Sequence, residues 1–172
     1  MTETAYGQPT SYNPLSKIDY RFSLQRAPAT VFNIQRVIIP SLSLPSADFQ
    51  TPFSNLPMHG DKIQFSEFSI DFQLDENMQN YKEIFNWMSS LGFPKDHTQH
   101  AKALQSGPGR ADRLYSDGTL TILNSAKNSN VVINFYDMWP TSISQLDFDT
   151  TLGDTEYLNV NVGFMFSRFD FA

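Results

Sequence analysis

Apolar and polar positions alternate along much of this chain. Tyr20, Phe22 and Leu24 interleave with Arg21, Ser23 and Gln25, the pattern of a half-buried strand. Ala27-Pro-Ala-Thr30 then reads as a turn and Val31 to Ile39 as a second β-rich run, so the two predict a hairpin. From 40 to 61 the prolines Pro40, Pro45, Pro52 and Pro57 argue against a central strand, leaving a long ordered loop or an edge. Ile63 to Leu74 predicts a long strand whose alternation changes phase near Ser66-Glu67, as a β-bulge would cause.

The period changes to a helical one over 77–91. Met78, Tyr81, Ile84, Phe85, Met88 and Leu91 recur at three- and four-residue spacing and predict one apolar stripe. Asp75 or Asn77 suits the N-cap, Gly92 the left-handed position beyond the end, and Pro94 blocks continuation. The polar stretch 93–117, with Gly107-Pro-Gly109 at its middle, is too long to be an idle connection. Thr119–Leu123 and Val131–Tyr136 predict a hairpin around 124–130, and Trp139-Pro140 a loop. The last strand is the cleanest: Leu158, Val160, Val162, Phe164 and Phe166 share one face. Six or so strands, many antiparallel, with one flanking helix predict a mainly β (α+β) sandwich or barrel. A polar arm over 1–17 precedes a β domain over 18–172.

Composition narrows what such a domain does. Its 172 residues bury a sizeable core, and none of its apolar runs approaches a membrane span of about 20 residues. The N-terminal residues lack the basic-then-apolar pattern of a signal peptide. Cysteine is absent, which excludes disulfides, thiolate chemistry and Cys-type zinc sites and suits a reducing compartment. Charged residues are 17% while Phe occupies 15 positions, a balance that fits either burial against further copies of the chain or a Phe-rich monomer core. The net charge of −6 sits almost wholly in 114–172, with seven acids against Lys127 and Arg168. Lys and Arg form no cluster, so phosphate-driven nucleic-acid binding is disfavoured.

Candidate chemistry is sparse. His97 and His100 with Asp96 could begin a metal site, and His59 with Asp61 is the nearest source of further ligands; exposed loop side chains account for them better. Asp147 and Asp149 point to one side of a strand, yet nothing apolar separates their acidities, and Asp147 to Gly153 misses the calcium-loop spacing. Neither a Gly-x-Ser-x-Gly elbow nor a phosphate loop is present. The expectation is a non-enzyme with neither metal nor cofactor.

Three stretches in order carry a resemblance. They are Pro57-Met-His-Gly-Asp-Lys62, Asp75 to Trp87 on the helix, and Met138-Trp-Pro-Thr-Ser-Ile-Ser-Gln-Leu146 before the alternating final strand. Together, over 20–172, the chain resembles tail-tube proteins of contractile-tailed bacteriophages. That resemblance implies a small β-sandwich or barrel with one helix, six copies joined edge to edge into rings, and rings stacked into a tube. It implies a structural virion protein of the phage tail, assembled in the host cytoplasm. DNA would pass through without specific binding, and sheath, baseplate or tail-terminator proteins would be partners. Asn80-Tyr81 and Gly92-Phe-Pro94 are also similar to tube-initiator members, so a baseplate hub or initiator ring is the alternative.

On this reading Leu158, Val160, Val162, Phe164 and Phe166 form the ring-assembly edge strand. Asp117, Asp147, Asp149 and Asp154 line or rim the channel, where carboxylates repel phosphate. The arm 1–17 and the loops 40–61 and 93–117 make ring-to-ring contacts. A reading from another class is a monomeric binding module for carbohydrate or peptide, with Tyr115, Tyr136 and Trp139 as its platform.

Overall fold

A computed structural model describes residues 13–92, 114–151, 153 and 156–172. Among the described residues eleven strands and two helices follow one another: β1 Tyr20–Leu24, α1 Pro28–Phe32, β2 Ile34–Ile38, β3 Leu42–Ser43, β4 Ser46–Gln50, β5 Asn55–His59, β6 Gln64–Phe65, β7 Phe68–Gln73, α2 Gln79–Gly92, β8 Ser116–Leu123, β9 Ser129–Ile143, β10 Asn159–Met165 and β11 Arg168–Phe171. Every pairing is antiparallel, and the fold is mainly β as expected.

The main sheet runs β1-β8-β9-β10-β7-β2, with β11 also on β9. Its two halves fold onto each other. Phe22 of β1 and Phe68 of β7 have three strands between them along the sheet, yet their rings are 5.2 Å apart. Phe68 also meets Phe135 of β9 at 4.6 Å. The fold line is β9, a 15-residue strand serving both layers. Its first part pairs with β8 and β11, and residues 139–143 pair with β10. At the change of layer Asp137 takes a positive φ of 53°, its N–H donates to Asp117 Oδ1, and its Oδ2 accepts from the Ser167 hydroxyl. Beside this corner Gly118 leaves room for Met138 Sδ and the Phe22 ring, which a β-carbon would strike.

The layers are therefore β1-β8-β9-β11 and β9-β10-β7-β2. Between them pack Phe22, Leu24, Leu120, Ile133, Phe135, Phe68, Ile70, Phe72, Val160, Val162 and Phe164, all buried. Helix α2 closes one side through Ile84 and Trp87, whose indole N–H donates to the Leu114 carbonyl.

Several expectations need correction. The first two strands are not a hairpin: β1 pairs with β8, β2 pairs with β7, and the one-turn α1 stands between them. Pro28 is at the start of α1, and Glu83 of α2 accepts from the Ala29 and Thr30 N–H groups, so the turn is completed by a distant carboxylate. Ile63–Leu74 is two strands rather than one bulged strand. The phase change was correctly located, but the chain breaks at Ser66-Glu67 and β6 leaves to pair with β3.

Helix α2 buries Asn80, Ile84, Trp87 and Ser90, a face rotated from the predicted stripe, and leaves Phe85 exposed. The Asn80 amide explains the rotation. It donates to the Gln73 carbonyl and accepts from the Asp75 and Tyr81 N–H groups, so the side chain that organises the helix start is neither Asp75 nor Asn77. Gly92 is the last helical residue and shows no left-handed φ. Trp139 and Pro140 lie inside β9 rather than in a loop, and β11 follows the strand read as the last. Pro94, 93–113 and the arm up to residue 12 lie outside the described residues.

Candidate assembly surface

The predicted ring-assembly strand is not an edge. Strand β10 is hydrogen-bonded to β7 on one side and to β9 on the other. Val160, Val162, Phe164 and Phe166 are buried, and the Leu158 carbonyl accepts from the Leu74 N–H. An apolar, uncharged alternating strand suits an exposed assembly edge and a sandwich centre equally, and here it is the centre. The free margins of this layer are β2 and residues 139–143 of β9, neither of which has a second strand beside it among the described residues. Pro140, which has no N–H to offer a ladder, is compatible with such a margin.

One face of that layer packs on the core. The other carries Ser69, Asp71 and Gln73 from β7 with Asn159 and Asn161 from β10, alternating with the buried positions. The Asn161 amide donates to Asp71 Oδ1, Ser144 Oγ accepts from the Asn161 N–H at 3.0 Å, and Arg36 of β2 lies 3.8 Å from Asp71 Oδ2. Glu67 accepts from the hydroxyls of Thr141 and Ser142. This face is thus polar, amide-rich and internally hydrogen-bonded.

Beyond one end of the layer stands an arm. Strands β4 and β5 pair only with each other, and all ten of their residues are exposed. Ala47 pairs with Met58 and Phe49 with Leu56, so these four share one face; Asp48, Pro57, Gln50 and Asn55 lie on the other. Phe53 at the tip is 99% exposed, and Leu42, Leu44 and Ile63 at the base are exposed as well. The prolines had reduced this segment to a loop or edge. The alternation in Ala47-Asp-Phe49 and Leu56-Pro-Met58 was the available signal, and Pro57 is tolerated because the hairpin has no further strand beside it.

The proposed acidic rim is divided. Asp117 is in the other layer, bound to the Asp137 N–H. Asp147 and Asp149 are exposed on the β9–β10 connection, and Asp154 lies outside the described residues. The Asp149 carboxyl is held below its ordinary value by bonds from the Thr151 hydroxyl and N–H. Asp19, at the start of β1, is lowered chiefly by the Lys127 ammonium that it accepts from.

Tyr115 and Trp139 do come together, edge to face at 5.5 Å, but Tyr136 lies apart beneath the Arg168 guanidinium at 4.4 Å, so the three do not form one platform. Among the described residues no group of three His, Asp or Glu side chains could hold a metal; His97, His100 and Asp96 lie outside them. No described helix is long and apolar enough to cross a membrane.

No family model matches the sequence. Over 127 residues, 72% of this chain and 67% of the other, it is 29% identical to the tail tube terminator protein of Enterobacteria phage T4. In fold it is similar to a chain of the sheath/tube terminator of an extracellular contractile injection system, PVC, in the extended state. There the TM-score is 0.62 at 15% identity, over 95% of this chain and 99% of that one. A chain in the baseplate of the anti-feeding prophage gives a TM-score of 0.60 at 10% identity, over 94% and 97%. The terminator relatives are structural proteins and not enzymes. The motif order and the terminator match agree in likening this chain to tube proteins of contractile phage-like tails, and the two-layered β fold is similar to theirs.

Proposed function

We propose that this chain is the subunit of a ring that terminates the tail tube of a contractile phage-like tail, a structural role without catalysis. The observation that carries it is the match to the T4 tail tube terminator, which spans most of this chain and favours an end ring over the repeating tube subunit. Six copies close by pairing β2 of one subunit with residues 139–143 of β9 in the next, so that each layer completes its neighbour's sheet. The polar face of Ser69, Asp71, Gln73, Asn159 and Asn161 then lines the channel. With Arg36 already matched to Asp71, that wall offers DNA few free cations and lets it pass without specific binding. Asp147 and Asp149 rim one mouth, while Asp117 stands away from it. The arm with its apolar face meets the last tube ring, and the outer layer meets the sheath. Assembly takes place in the host cytoplasm, which the absence of cysteine suits.

Negative-stain imaging of the purified protein, alone and mixed with tube, tests this. Discrete rings that sit on tube ends support it. Long self-made tubes indicate the repeating subunit, rings that start tube growth indicate an initiator, and a monomer at high concentration rejects ring formation. Because the chain is free of cysteine, pairs placed along β2 and 139–143 report the seam directly: disulfide-linked ladders are expected, and their absence at every register excludes this joint.

A further inference from the structure

Glu67 occupies the break between β6 and β7, where an exposed carboxylate has every reason to turn to water. Instead it lies back across β10. Its Oε1 accepts from the Thr141 hydroxyl and, at 3.2 Å, from the Ser142 hydroxyl. The crossing point is Gly163, the one residue of β10 without a side chain, and a β-carbon built there would fall inside the Glu67 carboxylate. The β9–β10 register shifts at the same place. Gly163 pairs with Ser142 and Phe164 with Pro140, so Thr141 is the extra residue of a bulge. Three features therefore coincide: the base of the arm, the gap in β10, and the bulge in the free margin of β9.

We propose that Glu67 is the positioning residue for ring closure, holding the β9 bulge in the one register that the neighbouring subunit can join. The inference rests on the ring reading above. A bulge re-aims the residues around it and increases local twist, and a one-residue slip turns every side chain of a strand to the opposite face. In the interior of a sheet two neighbours prevent such a slip. On a margin with one neighbour, something else must hold it, and charge-assisted bonds to both hydroxyls do so. The same residue adjoins the arm: Ser66 donates its N–H to the Ser41 carbonyl, and Ser41 donates its own to Ser66 Oγ at 2.7 Å. The seam and the arm are thereby set by adjacent residues.

Ring yield by size exclusion and imaging, read beside the unfolding midpoint and the hydrogen exchange of the Trp139 and 141–143 amides, tests this. Glu67→Gln keeps an acceptor oxygen and is expected to retain ring yield within about twofold, whereas Glu67→Ala lowers it about tenfold or more for the loss of two charge-assisted bonds. Exchange at 139–143 rises in Glu67→Ala, while the midpoint barely moves. Gly163→Ala expels the carboxylate and gives the same loss of rings. If that variant folds poorly, Glu67→Ala with Gly163→Ala removes the clash with the carboxylate, leaving the Ser142 hydroxyl, which can rotate away from its 2.6 Å contact, and is expected to recover the fold but not the rings. Wild-type ring yield and exchange in Glu67→Ala would overturn the proposal, as would a loss of rings merely proportional to lost stability. Absence of rings in the wild type would remove the ring reading itself, and this inference with it.

Discussion

The sandwich core and the β4–β5 arm are built from the same alternation and reach opposite outcomes. In β7 and β10, Phe68, Ile70, Phe72, Val160, Val162 and Phe164 turn to one side and find the inner face of the other layer. In the arm, Ala47, Phe49, Leu56 and Met58 also turn to one side, and among the described residues nothing of their own chain covers them. A pattern of period two thus specifies a face but not its cover. Two strands alone are marginal in water, so the arm depends on its base for order. Burial within the chain marks the residues that fold it; on the proposed reading, exposure of an equally regular apolar face marks those that assemble it.

The largest effects fall on the core side. Val160→Lys places an unpaired ammonium where no surface is exposed and is expected to prevent folding, seen as loss of a cooperative unfolding transition. A soluble, native-like variant would contradict the central place of β10. Phe68→Ala removes the ring that touches Phe22, Phe135 and Phe164, and should cost about 3–5 kcal/mol in chemical denaturation. On the arm the sign of the comparison reverses. Phe49→Ser with Leu56→Ser is expected to change monomer stability by no more than about 0.5–1 kcal/mol while abolishing attachment to tube, read by imaging. Core-sized destabilisation there would mean that the arm is part of the fold.

The smallest effect is at the Asp19–Lys127 contact. Its folded carboxyl is depressed below 3.8, so its stabilisation is full above that pH and is lost as pH falls through the lower folded value. Lys127→Ala should therefore lower neutral stability slightly and, by that same amount, flatten the acid side of a stability–pH curve below about pH 4.

What could be read from the chain follows from which forces are local. The β1 alternation, the phase change at Ser66-Glu67, the existence of α2 and the β8–β9 hairpin are short-range patterns, and each has its counterpart in the fold. Partners are not short-range. Ala27 to Thr30 looked like a turn because Glu83, more than fifty residues away, supplies what its backbone needs. The helix face was misjudged because Asn80, a polar residue, is buried to satisfy Gln73 and Asp75. Among the candidate site residues, Leu158 to Phe166 were correctly seen as one face and wrongly taken as a margin, since alternation counts faces and not neighbours. Glu67 showed only as the phase change and Gly163 showed nothing; only the crossing of β10 joins them.

The insertion of β10 between β7 and β9 has a consequence for timing. The strand pairs with residues about ninety positions upstream, as Asn161 does with Asp71. Until β10 has been synthesised, β7 and β2 are one fragment of the β9-β10-β7-β2 layer and residues 139–143 of β9 another, with no strand between them to make it continuous. Long-range closure of this kind is slow to pay back its entropy, and it postpones the joinable surface to the end of folding. A nascent chain therefore has no completed wall until β10 has emerged, and under the proposed ring reading joining to a neighbour waits for that strand.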